Sequence, residues 1–159
     1  MVTHSGRLIM ARAKAEAITE EAFFQILQTL EIIRIDVDDF SGKVHNRERL
    51  TARDTKRKVA VTEKSEFRCG DDTEVIVWHS YTVTVTAEGE DKDEKLLVIA
   101  LKFRLLYDSK GVFTEDFFEQ FRQLSLRVQT LPFARAWVHD HCLRMGVPPL
   151  IMPLIRTQK

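Results

Sequence analysis

The residues of this 159-residue chain that could do chemistry are concentrated in one short run, His139, Asp140, His141 and Cys142. On a helix, His139 and His141 point about 200° apart, so they cannot share a metal ion. His139 and Cys142 share a face, but zinc takes three or four protein ligands. We therefore expect no metal site here, and His141 can instead pack on Trp137 one turn earlier. An alternative stays open, namely a small α+β enzyme or ligand-binding domain that uses His139, Asp140 and His141.

Other catalytic motifs are missing from the sequence. It contains no nucleophile elbow, phosphate-binding loop or Cys-x-x-Cys pair. Asp36 and Asp38 could form paired carboxylates, but on a strand they would share one exposed face, where solvation is the simpler interpretation. The acidic run Glu88–Glu94 lacks calcium-loop spacing, and the basic run Lys43–Lys58 lacks aromatic residues that stack on single-stranded nucleic acid. We expect no enzyme activity, no cofactor and no nucleic-acid partner.

Composition and charge narrow the class of protein. The 24 basic residues balance the 24 acidic ones, and 44% of the chain is hydrophobic, which excludes a disordered chain and argues against a strongly basic nucleic-acid binder. The apolar run Leu96–Leu101 is far shorter than the ~20 residues of a membrane span, and two cysteines make no disulfide framework. We expect a disordered N-terminus over 1–10, one domain over 11–159, and a cytoplasmic protein without membrane insertion.

The hydrophobic periodicity of the N-terminal two thirds predicts one helix followed by strands. Apolar residues at helical spacing indicate a helix over Ala11–Leu30. Alternating residues predict strands over 33–38, 57–69, 75–86 and 95–107. A long polar connection from Phe40 to about Lys56 separates the first strand from the second, and the acidic run after the third strand forms a hairpin tip.

Two further helices are predicted in the C-terminal third. Thr114 can cap the first, whose apolar stripe includes Leu124. Pro132 suits the first turn of the second, Leu131–Met145, because a proline is tolerated there. The order predicts an α+β fold, in which helices pack on a four-stranded antiparallel sheet with a long crossover after its first strand.

The apolar residues exceed what one small core needs. The fourth strand is apolar on both faces, and one helix layer covers only one face. We therefore expect a second subunit against this strand, with Leu97 and Val98 at the contact. A further set of apolar side chains is compatible with a groove that holds an apolar segment of a partner: Phe40, Leu50, Trp78, Trp137, Val138, Cys142 and Met145.

Two C-terminal segments have a distinctive pattern, LPFARAWV at Leu131–Val138 and RMGVPPLIMPLI at Arg144–Ile155. They resemble the C-terminal helix and tail of the SecB export chaperones, and the strand Tyr81–Ala87 before an acidic hairpin is also similar to that family. The resemblance covers about Glu31–Ile155. It implies a homotetramer, a dimer of dimers, that binds unfolded client proteins in apolar grooves without ATP.

The resemblance also implies where clients and partners bind. Phe40–Leu50 would form the roof of the client groove, and Trp78, Val138, Cys142 and Met145 its walls. In export members an acidic sheet face binds the translocase motor SecA, and Asp36 and Asp38 could retain part of that face.

The predicted N-terminal helix points to a subgroup of this family. It resembles the arrangement in solitary SecB-like chaperones that accompany a toxin–antitoxin pair and protect the antitoxin. The expected function is therefore an ATP-independent chaperone, a holdase, for protein export or for antitoxin protection.

Overall fold

The computed structural model describes residues 18–89 and 92–152. Its strands are β1 (Leu30–Val44), β2 (Arg57–Cys69), β3 (Glu74–Ala87) and β4 (Glu94–Ser109). Its helices are α1 (Glu20–Gln28), α2 (Arg47–Thr51), α3 (Glu115–Phe121) and α4 (Arg127–Arg144), and a π-helical turn, Arg122–Leu126, joins α3 directly to α4. The predicted N-terminus, 1–10, and the first residues of the predicted helix, 11–17, lie outside the described residues.

The strands form one antiparallel sheet in the order β1-β4-β3-β2. β2, β3 and β4 follow one another as hairpins, whereas β1 lies beside β4 at the far edge. A crossover, residues 45–56 with α2 in its middle, carries the chain from one edge of the sheet to the other. The predicted α+β fold with a long crossover after the first strand is therefore confirmed.

The two faces of the sheet have different surroundings. On β3 the side chains of Val77, His79, Tyr81 and Val83 are buried, and Trp78, Ser80 and Thr82, which alternate with them, are only partly buried. The buried set faces the helices, because an extended strand alternates its side chains between the two faces. No helix of residues 18–89 and 92–152 covers the other side, which includes Trp78 and Val98 and is called the open face below.

The long C-terminal helix keeps one side on the core by changing its pitch once. One row of its buried residues follows at intervals of four, except for one interval of five between Phe121 and Leu126, which is where the π-helical turn lies, and Phe118 is buried beside this row. The buried series is Phe117, Phe121, Leu126, Thr130, Ala134, Val138 and Cys142. A π-helical turn adds one residue to a helical turn, so it restores the phase of the buried side.

Polar caps fix the helix beginnings. Thr114 accepts a hydrogen bond from the Phe117 amide at 3.2 Å, as predicted, and Thr19 caps α1. α1 packs on α3, where the rings of Phe23 and Phe117 lie 5.1 Å apart. Leu30, expected in the first helix, begins β1 instead.

Two sequence predictions about the first strand are wrong. The strand continues to Val44, so Phe40 lies within β1 and not at the start of the crossover. Strict alternation also predicts that Ile33 shares the buried face with Ile35 and Val37. Register shifts between Ile32 and Arg34 and between Val37 and Asp39 change this alternation, and Ile33 is 58% exposed. A β-bulge adds a residue to one strand only, which a strict period of two cannot represent.

Two predictions about the C-terminal helices are also wrong. They form one continuous helix, so Pro132 lies inside α4 and not in a first turn. Leu124, expected on the apolar stripe, is 57% exposed. The five-residue step of the π-helical turn rotates Leu124 outward and Leu126 into the core.

Candidate functional site

Four partly buried side chains form an apolar ledge where the C-terminal part of α4 crosses β1. The ring of Phe40 lies 3.9 Å from that of His141 and 5.9 Å from that of Trp137, measured between centroids. Trp137 and His141 stack at 4.7 Å with 14° between their planes. We call Phe40, Trp137, His141 and Met145 the β1–α4 ledge.

Local sequence explains how the ledge forms. Trp137, His141 and Met145 follow at intervals of four residues, so α4 presents them on one side. Gly42 of β1 makes room for Met145, since a Cβ atom at position 42 would lie 3.0 Å from the methionine sulfur. Phe133, 50% exposed, extends the same side by one turn. The result is a continuous surface of aromatic rings and a flexible thioether.

The crossover is fixed to the end of α4 beside this ledge. The Arg47 guanidinium donates to the carbonyl oxygens of Met145 and Gly146, both at 3.0 Å. Gly146 ends the helix with φ of +64°, and the Val147 amide donates to the Cys142 carbonyl at 3.0 Å. This is the left-handed helix end that favours glycine. Arg47 thus satisfies carbonyl groups that the helix end leaves without partners.

A second anchor joins the crossover to β4. Asn46 caps α2 and donates from its side-chain amide to Glu94 at 2.8 Å, and Arg49 forms an ion pair with the same carboxylate. Hydrogen bonds from Asn46 and Arg49 lower the pKa of Glu94. Leu50 of α2 is 1% exposed and completes the core. The crossover beside the Met145 end of the β1–α4 ledge is therefore fixed both to α4 and to β4.

A buried polar network lies elsewhere, where the helix changes pitch. The ring nitrogens of His79 lie 2.8 Å from Thr130 Oγ1 and 3.1 Å from a Glu63 carboxylate oxygen, and the Tyr81 hydroxyl lies 2.8 Å from Thr130. Arg127 donates to Glu63 at 3.0 Å. Burial lowers the pKa of His79 against the opposing effect of Glu63, and burial raises the pKa of Tyr81 to about 12. The network ties β2 and β3 to α4.

The structure brings only part of the predicted client site together. Phe40 and Met145 both lie on the ledge. Leu50, Val138 and Cys142 are buried in the core, where they contact other core residues and not solvent. Burial also raises the pKa of the Cys142 thiol. Trp78 lies on the open face, opposite the helices, because it alternates with the buried Val77 and His79.

The chemical cluster on α4 is dispersed. His139 is exposed, Asp140 accepts from Arg144 at 2.7 Å, and His141 packs on Trp137 as predicted, with Nδ1 2.8 Å from the Trp137 carbonyl oxygen. Across residues 18–89 and 92–152, no group of three His, Cys, Asp or Glu could hold a metal ion. The sequence predicted this contact from the four-residue spacing of Trp137 and His141, but it did not predict that His141 belongs to an apolar surface with Phe40.

The residues predicted to meet partners lie in three different environments. Leu97 is fully buried beneath the helices, so it is a core residue of the single chain. Val98 faces the opposite way and lies partly exposed on the open face. Asp36 forms an ion pair with Arg34 at 2.7 Å on that face, and Asp38 is exposed at the second register shift of β1.

Sheet order, crossover and continuous C-terminal helix define a SecB-like fold. The SecB-like chaperone Rv1957 of Mycobacterium tuberculosis, solved in complex with a ChAD peptide from the antitoxin HigA1 (Rv1956), superposes with a TM-score of 0.73 at 14% identity. The match covers 88% of this chain and 100% of that chain. It shows that the two chains share their fold, as the sequence resemblance predicted.

Three other comparisons give no further similarity from which the fold or the function can be argued. A protein of unknown function from Streptococcus agalactiae aligns with 79% of this chain and 97% of its own at 10% identity, with a TM-score of 0.37. Neither a protein-family model nor a curated protein sequence matches the chain.

Proposed function

We propose that this protein is an ATP-independent chaperone that binds extended apolar segments of unfolded polypeptides. One observation carries the proposal: the fold matches the whole length of a SecB-like chaperone whose structure holds an antitoxin peptide. That neighbour is a chaperone and not an enzyme, and the dispersed side chains of His139, Asp140 and His141 give the enzyme alternative no support.

The β1–α4 ledge is the client-binding surface that we favour. Its aromatic rings and its thioether remain partly exposed in the folded chain, and burial of apolar surface is worth about 25 cal/mol per Å². A methionine adapts to side chains of different shape, which suits a site that binds many sequences. Phe40, Trp137 and Met145 belong to the apolar set predicted from the sequence, and His141 lies beside them in the structure.

An antitoxin is the client that we favour over an exported protein. The neighbouring chaperone binds an antitoxin peptide, whereas Asp36 and Asp38, expected to help bind SecA, lie among the basic side chains Arg34, Lys102 and Arg104. A sheet face with a basic centre differs from the acidic face of the export members. A toxin–antitoxin gene pair adjoining this gene would support the proposal, and genes for export components in that place would contradict it.

We further propose a cytoplasmic homo-oligomer, a tetramer or at least a dimer. On the outward side of the long helix, Leu124 is 57% exposed and Val128, one turn later, is 74% exposed. Two such helices packed together would remove both side chains from water. In residues 18–89 and 92–152 no helix is long and apolar enough to cross a membrane.

Met145→Ser tests the proposed ledge. We expect this variant to suppress the aggregation of a denatured reporter enzyme several-fold less well than the wild type, without nucleotide in either assay, because a hydroxymethyl group buries far less apolar surface. Light scattering of the diluted reporter measures the suppression, and thermal melting followed by circular dichroism measures stability.

Leu143→Ser is the matched control, because Leu143 is 54% exposed on a different side of α4. It should suppress aggregation as the wild type does. Normal suppression by Met145→Ser with a large fall in melting temperature would assign Met145 to the core alone. No suppression by the wild-type protein would overturn the chaperone proposal itself.

A further inference from the structure

The open face carries an aromatic ring held between two cations. The Arg68 guanidinium carbon lies 5.8 Å, and the Lys102 ammonium nitrogen 5.6 Å, from the centroid of the Trp78 ring. Arg104 is the cross-strand neighbour of Trp78 on β4. A cation near an indole ring is attracted by the ring's quadrupole. The cations are thereby positioned around a partly exposed apolar platform.

Cations outnumber carboxylates over the middle of this face. The strand register places these basic side chains there: Arg34, Lys64, Arg68, Lys102 and Arg104. The carboxylates among them are Asp36, Asp39 and Glu66, and the exposed Asp38 precedes Asp39 at the register shift. Asp36 pairs with Arg34 at 2.7 Å and Glu66 with Lys102 at 3.5 Å. Within the described part of the chain, Arg68 and Arg104 form no ion pair, so their charges remain available.

The charges are arranged along the sheet as well as across it. Glu31, Glu74 and Asp108 lie together at one end of the open face, beyond Arg68 and Arg34. The middle continues into small side chains of the central strands, Thr82, Thr84 and Ala100. The surface therefore has a basic aromatic centre beside an area of small, weakly polar side chains.

We propose that this face is a docking surface for an acidic polypeptide segment that carries an apolar or aromatic side chain between its carboxylates. The carboxylates pair with Arg68 and Arg104, and the apolar side chain lies on the Trp78 indole. Charge-assisted hydrogen bonds to arginine are among the stronger polar contacts in proteins. This surface lies on the side of the sheet opposite the β1–α4 ledge, so the inference does not depend on the proposed chaperone function.

Charge complementarity selects this occupant over two others. A second copy packed face to face would bring the basic centre against itself, and facing like charges cost free energy. Nucleic acid presents a continuous row of phosphates, which Asp36, Asp39 and Glu66 would repel. An acidic polypeptide can instead place its carboxylates opposite the cations and its neutral residues opposite these carboxylates.

The test measures binding of a fluorescein-labelled peptide of repeated Glu-Asp-Phe to the full-length protein by fluorescence anisotropy. We expect wild-type affinity to fall as salt rises, because salt screens exposed charges. The double variant Arg68→Glu/Lys102→Glu should bind at least about tenfold more weakly. Lys110→Glu is the matched control, since this exposed lysine lies in the β4–α3 connection, and it should bind as the wild type does.

Further measurements distinguish the alternatives. Trp137→Ser, on the β1–α4 ledge, should leave peptide binding unchanged, and the double variant should still suppress aggregation. Arg104→Gln is a milder change that should also weaken peptide binding. It replaces the double variant in this test if the double variant has a much lower melting temperature than the wild type. Equal binding by wild type and by both open-face variants overturns the proposal. Tighter binding of a single-stranded oligonucleotide than of the peptide, or a smaller light-scattering mass for the double variant, also overturns it.

Discussion

At the scale of single residues, His79 couples the stability of the protein to pH. Its imidazole is 1% exposed and contacts Thr130 and Glu63. The charged groups near it are Glu63 on β2, Arg127 on α4 and Arg122 in the π-helical turn. Burial lowers its pKa below the ordinary value of 6.5. The folded protein therefore holds His79 neutral at pH 7, whereas the unfolded chain takes up the proton more readily.

The consequence is a stability that falls in acid. The contribution of His79 is fully present above pH 6.5 and is lost as the pH falls through the lowered pKa of the folded state. We expect His79→Gln to flatten this part of the profile, measured as urea midpoints from pH 8 to pH 5. His45→Gln, at an exposed histidine, is the control and should keep the wild-type slope. Parallel curves for wild type and His79→Gln would contradict the argument.

At the scale of elements, the crossover is held over the end of α4 by Arg47. Arg47→Ala removes two hydrogen bonds to the carbonyls of Met145 and Gly146. We expect faster amide hydrogen exchange within residues 45–56 and a change of less than about 1.5 kcal/mol in unfolding free energy, because Arg47 is exposed and Leu50 still anchors α2 in the core.

A matched variant separates this anchor from a general effect of charge. Arg53→Ala removes an exposed arginine from the same crossover and should leave hydrogen exchange unchanged. If Arg47→Ala exchanges as slowly as the wild type, the interactions of Asn46 and Arg49 with Glu94 hold the crossover by themselves.

The elements also mark the limit of what the sequence predicts. Strict alternation located β3 and β4 well, because both run without a bulge through their central residues. It failed in β1, where two register shifts move Phe40 onto the helix-facing side. The helical period failed between Phe121 and Leu126, where the π-helical turn inserts a residue. Such insertions depend on tertiary packing, which a local period does not contain.

The candidate site shows the same limit. Phe40 and Met145 were predicted from their apolar character, but Val138 and Cys142 have that character too and are buried on the adjacent, core-facing side of α4. Apolar type alone does not separate a core residue from a residue of an exposed ledge. The phase of α4 decides which side faces the sheet, and the π-helical turn sets that phase.

At the scale of the whole molecule, two surfaces are candidates for the subunit interface. The sequence predicted Val98, on the open face, whereas the structure also exposes Leu124 and Val128 on the outward side of the long helix. Leu97, the second predicted contact, cannot distinguish them, because a carboxylate in its fully buried position would destabilise the single chain. The open face is basic at its centre, and the helix side is apolar. Apolar surfaces are the ones that association removes from water.

Val128→Asp therefore tests the assembly. Val128 is 74% exposed in the single chain, so the substitution should leave the circular dichroism spectrum and the melting of the fold unchanged. In a dimer or tetramer that packs these helices together, it buries an unpaired carboxylate, which costs several kcal/mol and dissociates a modest interface. Multi-angle light scattering at micromolar concentration should then give a smaller mass than for the wild type. A dimer should fall to the 18.5 kDa of one chain, and a dimer of dimers should fall to the mass of one dimer.

Two further variants serve as a charge control and as a test of the other candidate interface. Val112→Asp places the same charge at a valine that is 76% exposed in the β4–α3 connection, and it should keep the wild-type mass. Val98→Asp should also keep that mass, because we propose that the open face binds an acidic polypeptide and not a second subunit. If Val98→Asp dissociates the oligomer while Val128→Asp does not, a second subunit covers the open face, and the docking surface around Trp78 is an interface between copies of this chain.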